Sequence, residues 1–287
     1  MLVADAPIGA PTAAEVMARA RSENFPVASR ALPRRVRAHL LAIYGFARLV
    51  DELGDAGSGD RLAALEWLSE DLVRAFEGRA EHPLLVALEP TLRDCGLTRE
   101  PFERLVEANR LDQRVGRYET WEQLRAYCSL SADPVGELVL AVLGLATPAR
   151  IALSDSICTA LQLTEHCQDV AEDLARGRVY LPAEDLERFG CTTAELAAEH
   201  AGGPLREVLA FEVDRARGLL AQGTPLIAQL RGRPRLAVAA FVAGGRAALE
   251  AIERADYDVL AGPPGVSGAR RLLTLAATLA QSRGHGR

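Results

Sequence analysis

The sequence predicts an all-α protein built as one bundle of long helices, and three observations predict it. Hydrophobic residues make up 49% of the 287 residues while aromatics supply only 5%, so the core must come from Leu, Ala and Val, a set that suits helices better than strands. Apolar residues recur at helical spacing from about residue 13 to residue 282. No strand-like alternation flanked by hairpin turns, no repeat of fixed period and no long low-complexity stretch interrupts them.

The breaks between helices carry turn chemistry rather than linker composition. The first helical run reaches Gly54–Gly59 (GDAGSG), and the next break is Cys95–Gly96. Asp133–Pro134 interrupts an apolar stretch from about Trp121 to Leu145, because proline lacks a backbone donor and crowds the preceding turn. Such an interruption can shape a cavity. Gly177 with Pro182, Gly202–Pro204, Gly232–Pro234 and Gly262–Gly268 (GPPGVSG) mark the remaining breaks. No second domain is signalled, so residues 1–287 read as a single domain with loose ends at about 1–12 and 283–287.

Composition excludes several classes of function. The net charge is -6 and no basic block is present, so nucleic acid is not an expected partner. All 33 basic residues are arginine, which removes lysine Schiff-base chemistry and leaves fixed guanidinium forks suited to phosphate. Cys95, Cys128, Cys158, Cys167 and Cys191 are odd in number and form no CxxC pair, as expected of reduced thiols in the cytoplasm. The N-terminus lacks the basic and apolar regions of a signal peptide, and Leu138–Thr147 is too short to span a bilayer. The expectation is a cytoplasmic protein, soluble or peripheral to the inner face of the membrane.

Two acidic stripes carry the chemistry. In AIYGFARLVDELGD, Tyr44, Arg48, Asp51 and Asp55 follow at steps of four, three and four, which places them on one helix face. Ile43, Phe46, Leu49 and Val50 lie around them, so paired like charges there call for a cationic partner. In ALQLTEHCQDVAEDLARGRVYLP, Gln162, Glu165, Asp169 and Asp173 follow at steps of three, four and four. Carboxylates arrayed this way suit Mg²⁺, which keeps part of its water and accepts substrate phosphate oxygens. Arg176 and Arg178 follow closely enough to meet the same phosphates. One DxxxD alone is more often a polar helix face. Two such stripes, each in an apolar helix with arginine nearby, favour a bundle interior that binds metal.

These residues resemble the squalene/phytoene synthase family over most of the chain. The resemblance rests on Arg48-Leu-Val-Asp51-Glu52-Leu-Gly-Asp55, on Tyr127-Cys128 running on to Val135-Gly136, and on Gln162 through Arg178-Val-Tyr180-Leu-Pro182. It implies a terpenoid synthase-like helical bundle with a central active-site cavity. In that cavity Asp51, Asp55, Glu165, Asp169 and Asp173 hold up to three Mg²⁺ ions around an isoprenoid diphosphate, and Arg48, Gln162 and Arg178 grip its oxygens. Tyr44 and Tyr127 join Asp51 and Asp169 as expected catalytic residues, directing hydroxyls at the diphosphate or the cation. The carbocation left by the departing diphosphate needs an apolar, water-poor pocket. Phe25, Ala132, Val135, Leu138, Leu161 and Gly245 are expected to line it, with Val139, Val142 and Phe241 as further wall residues. For any one of these, ordinary core packing is an equal reading.

The sequence departs from the family pattern where the reaction could be chosen. Glu165 stands where Asn is usual and Gln168 where Arg is usual, so the second motif is more negative. Ser131-Ala132-Asp133-Pro134 replaces a run of small residues with Gly. A Tyr expected near Gly245 is absent, and Gly244-Gly245 leaves room. His166 reads first as a polar neighbour, with support of a metal-binding acid or orientation of a water as the alternatives. With Glu23-Asn24-Phe25-Pro26-Val27-Ala28-Ser29, these departures resemble the squalene synthase-like, or hydroxysqualene synthase, branch found in bacterial hopanoid pathways. That resemblance implies presqualene diphosphate as substrate, ionised, rearranged and captured by water to give hydroxysqualene, with other enzymes of the squalene pathway as neighbours.

Two other readings stay open. A transferase could condense two farnesyl or geranylgeranyl diphosphates to presqualene diphosphate, squalene or phytoene. From another class, a noncatalytic helical partner could keep the motifs for packing. Reductive release with NADPH is not expected, since the chain has no lysine and no GxGxxG after a strand. No Glu-x-x-His occurs, which argues against a di-iron carboxylate bundle.

Overall fold

The computed structural model describes residues 11–19, 32–55 and 60–284. Among them every element is a helix. They are α1 (Ala13–Arg19), α2 (Arg34–Asp55), α3 (Arg61–Phe76), α4 (Pro83–Asp94), α5 (Glu100–Asp112), α6 (Trp121–Ser131), α7 (Asp133–Val142) and α8 (Pro148–Gln168). After them come α9 (Val170–Ala175), α10 (Ala183–Arg188), α11 (Thr193–Leu196), α12 (Gly203–Gly223), α13 (Pro225–Gln229), α14 (Gly232–Arg254) and α15 (Gly268–Gly284). The all-α class read from the sequence is the class observed.

The chain divides into two compact units, one of Met1–Arg114 with Pro134–Thr147, the other of Val115–Asp133 with Pro148–Arg287. In the first, α2 is the central element. Its Phe46, Leu49 and Val50 are fully buried, and Phe46 meets Phe102 of α5 edge-on at 5.1 Å. Leucines of α3 and α4, among them Leu65, Leu68, Leu72, Leu85 and Leu88, complete a core in which aromatics are few. Burying one such leucine contributes roughly 1.5–3 kcal/mol. Asp71, fully buried, closes the α3–α4 turn by accepting the Glu81 and His82 amides at 2.9 Å each.

In the second unit α8 packs along α12. The approach depends on Gly223, where a Cβ would stand 2.6 Å from the Leu153 carbonyl. Buried Asp133 accepts from Thr159 Oγ1 of α8 at 2.8 Å and from Arg125 of α6 at 2.9 Å. The interruption predicted at Asp133–Pro134 is present, with α6 ending at Ser131 and α7 starting at Asp133.

The sequence nevertheless expects longer helices than the structure has. Turns also fall at Gly78, Gly144 and Gly190, each with positive φ. Left-handed glycines let the next amide reach back five residues, as in Leu145 to the Leu140 carbonyl at 2.8 Å. At the N-terminal end, Thr12 is no loose residue: its amide and hydroxyl bond the Glu15 carboxylate at 2.7 and 2.8 Å, capping α1.

A buried ionic group ties α10 to α12. Arg215 bonds Asp185 at 2.9 Å and also Glu212, while lying 4.7 Å above both Trp121 and Phe211. Glu212 has no exposed surface; burial outweighs the attraction of Arg215 and pushes its carboxyl up to about 8. The unfolded chain releases that proton near pH 4.5 while the folded chain keeps it, so this group removes stability as pH rises toward 8. Glu212→Gln is expected to flatten the loss between pH 5 and 8, on the order of 2 kcal/mol, in denaturant titrations at the two pH values. Equal slopes in variant and parent would contradict this.

Candidate active site

The first acidic stripe lies at the C-terminal end of α2. Tyr44 is buried and Arg48 half-buried, whereas Asp51 and Asp55 are exposed beside the fully buried Leu49 and Val50. The expected cationic partner is Arg48, which lies 3.8 Å from Asp51 and 3.5 Å from Glu52. Solvent reaches about half of the Asp51 side chain (51%). Lost hydration nevertheless outweighs Arg48 and Asn109 and, with the charges of Asp55 and Asp112, pushes its carboxyl up to about 7.

Helix α5 holds this end of α2 in place. Asn109 Nδ2 donates to Asp51 at 3.5 Å, and Gln113 Nε2 donates to the Gly54 carbonyl at 2.9 Å. A Cβ at Gly54 would fall inside the Asn109 side-chain amide. The glycine that looks like part of a turn is therefore required by close approach of the two helices. Glu52, Asn109 and Gln113 went unread because their partners are distant in sequence or share a helix with more conspicuous acids.

The second stripe is not one continuous helix. α8 ends at Gln168, and Asp169 has φ -104 and ψ 19, outside the helical range, before α9 begins. The facing of the acids survives, because the Asp169 amide still bonds the Glu165 carbonyl at 2.9 Å and the Asp173 amide bonds the Asp169 carbonyl at 2.8 Å. Asp169 is held above the usual carboxylate range by burial and by the charges of Asp173 and Glu172.

Arg178 is placed by the turn that follows. Gly177, at φ 77, lets the Arg178 amide bond the Asp173 carbonyl at 2.9 Å. The Val179, Ala183 and Glu184 amides then bond the Gly116, Tyr118 and Glu119 carbonyls at 2.7, 2.9 and 3.0 Å. Arg176 diverges, pairing at 2.6 Å with exposed Glu172.

Beside these acids lies a polar aromatic nest that sequence reading only partly found. His166 is 5% exposed and stacks on Tyr180 at 3.9 Å with the rings 15° apart. Its Nε2 is 3.3 Å from Gln162 Nε2, and its Nδ1 is 3.8 Å from Asp173. Tyr127 OH is 3.5 Å from Tyr180 OH, and Tyr118 stacks on Tyr180 at 5.8 Å. His166 is thus a buried, stacked member of this nest, with Gln162 and Asp173 on its two ring nitrogens. Tyr180 was visible in its motif without a role, while Tyr118, in a loop, gave no spacing signal. His166, Asp173, Arg178 and Tyr180 border a small cleft with a volume of about 10 Å³, room for about one water.

The expected pocket residues are dispersed between the units. Leu138 (1% exposed) and half-buried Val135 belong to the first; Ala132 and Leu161 belong to the second. Phe25 and the segment around it lie outside the described residues. The room expected at Gly244-Gly245 is present at Gly244, where a Cβ would meet nothing within 4 Å, and not at Gly245, where it would stand 2.6 Å from Leu161 Cδ2 and 3.3 Å from Leu220.

Among the described residues no three acid, histidine or cysteine side chains converge as a ready-made metal cage. The donors present are carboxylate oxygens, and at Asp51 and Asp169 lost hydration first and neighbouring acids second raise the proton affinity. Such a set fits Mg²⁺, which binds through one or two carboxylates and completes its shell with water and phosphate oxygens.

Known proteins resemble this chain over most of its length. The squalene/phytoene synthase family model matches residues 18–274. A hydroxysqualene synthase of Zymomonas mobilis is 36% identical over 220 residues, covering 74% of this chain and 72% of its own. A phytoene synthase of Arthrospira platensis is 34% identical over 257 residues, covering 83% and 82%. The crystal structure of squalene synthase HpnC from Alicyclobacillus acidocaldarius superposes with a TM-score of 0.78 at 47% identity, over 84% of this chain and 93% of that one. The chain belongs to the squalene/phytoene synthase family of isoprenoid synthases.

Proposed function

We propose that the protein converts presqualene diphosphate to hydroxysqualene and diphosphate, as a Mg²⁺-dependent lyase of squalene and hopanoid biosynthesis. The observation that carries this reading is the nest of Gln162, His166, Tyr127 and Tyr180 beside Asp169 and Asp173. It offers hydrogen-bonding groups that can hold a water next to acids suited to metal and phosphate, and the relative from Zymomonas mobilis named hydroxysqualene synthase supports it.

Asp51 and Asp55 on one stripe, and Glu165, Asp169 and Asp173 on the other, are the residues assigned to Mg²⁺. The metal supplies Lewis-acid stabilisation of charge on the diphosphate oxygens. Arg48 and Arg178 add guanidinium hydrogen bonds to those oxygens. The C–O bond to diphosphate breaks with its electron pair leaving on oxygen. The resulting cyclopropylcarbinyl cation rearranges, and a water oxygen forms the new C–O bond and gives up a proton. Gln162 and the Tyr127 and Tyr180 hydroxyls orient that water, while His166, stacked on Tyr180, fixes the ring beneath it. Leu138 and Val135 of the first unit, and Ala132 and Leu161 of the second, are the apolar residues that the family resemblance assigns to keeping bulk water from the cation.

The second reading is a transferase joining two prenyl diphosphates, favoured by the phytoene synthase relative. Purified protein should release diphosphate from presqualene diphosphate only with Mg²⁺, and hydroxysqualene should accumulate. Product from farnesyl or geranylgeranyl diphosphate alone would establish the transferase instead. No release from any of the three would leave the noncatalytic role.

A further inference from the structure

Helix α15 is turned inside out. Its buried residues are Thr274, Thr278 and Ser282, at 8, 0 and 2% exposure, spaced one turn apart on the side facing α14. Arg246 bonds Thr278 Oγ1 at 3.2 Å and Gln281 at 2.8 Å, and Arg235 bonds Ser282 Oγ at 3.0 Å. The opposite face consists of Ala269, Leu272, Leu273, Ala276 and Ala280, all exposed. Leu272 and Leu273 are 69% and 72% exposed, the highest values among the large hydrophobic side chains described. A helix at a water surface ordinarily turns its polar stripe outward.

The charge around this face is equally one-sided. From Val259 to Arg287 the sequence carries four arginines and no acid, and from Thr224 to Leu249 four arginines and no acid, in a chain of net charge -6. Arg270 and Arg271 stand exposed at the start of α15, with Arg270 also 3.4 Å from Glu250 of α14. Arg231 and Arg233 are exposed at the start of α14, the end that Arg235 ties to Ser282. Cationic groups therefore flank both ends of the apolar face.

We propose that this face docks the protein on the surface of an anionic phospholipid bilayer. α15 lies in the interfacial plane with Leu272 and Leu273 among the acyl chains and the arginines on lipid phosphates. No described helix is long and apolar enough to cross a membrane, so the contact is peripheral. A second copy of the chain is the poorer occupant. In a two-fold dimer the patch would meet itself, setting arginines against arginines at both ends of the helix.

The test is co-sedimentation of the full chain with phosphatidylcholine vesicles prepared with or without phosphatidylglycerol, using Leu272→Ser/Leu273→Ser, Arg271→Glu and the unaltered protein. The unaltered protein should bind the phosphatidylglycerol vesicles at least about tenfold more tightly than the neutral ones, and added salt should weaken binding. The double leucine variant and Arg271→Glu should each lose about tenfold or more, with unchanged melting temperature and helix content. Absence of binding by the unaltered protein, or equal binding by the variants, would overturn the proposal. So would a dimer that the leucine variant dissociates without any change in vesicle binding.

Discussion

Asp51→Asn and Asp169→Asn should each lower turnover by about 10³-fold while leaving the helical circular dichroism and the melting temperature nearly unchanged. Each substitution removes a metal-binding charge and keeps the side-chain shape. The fold should tolerate the loss because neither carboxylate gains from ionising in the metal-free protein: burial and neighbouring acids raise both above the ordinary range. Arg48 retains Glu52 at 3.5 Å when Asp51 becomes neutral, so no guanidinium is stranded. Mg²⁺ with pyrophosphate should stabilise the unaltered protein against heat, and each variant less. Full activity in either variant would remove that acid from the metal assignment.

Gly54→Ala should lower turnover by about 10²-fold and destabilise the protein by roughly 1–3 kcal/mol. The new methyl group would occupy the position of the Asn109 amide. Separation of α2 from α5 would then break the Asn109–Asp51 bond and strain the Gln113 bond to the Gly54 carbonyl. Adding Asn109→Ala should recover most of the stability by removing the clash, but not the activity, because the bond to Asp51 stays absent. Thermal melts and kcat measured on the single and double variants separate the two effects. Simultaneous recovery of both would show that Asn109 only fills space.

The all-α class was legible because Leu, Ala and Val recur at helical spacing without strand alternation. The acid stripes were legible because steps of three and four along one helix can be counted. The break before Asp169 was not, since the backbone bonds of Glu165 and Asp173 carry the same facing across a non-helical residue. Asn109 and Tyr118 gave no local signal, because they act on groups far away in sequence. The surroundings of Gly245 were not legible for a related reason: whether a missing side chain opens a cavity depends on what packs against it, here Leu161 and Leu220. The polar face of α15 was countable, but only the structure shows that it points inward toward Arg246 and Arg235.

The reaction assignment rests on water capture by a cation, a step that leaves an isotopic mark. Presqualene diphosphate incubated with the protein and Mg²⁺ in H₂¹⁸O should give hydroxysqualene carrying ¹⁸O at its hydroxyl, detected as a two-mass-unit shift by mass spectrometry. Unlabelled hydroxysqualene, or a hydrocarbon product without oxygen, would contradict the account.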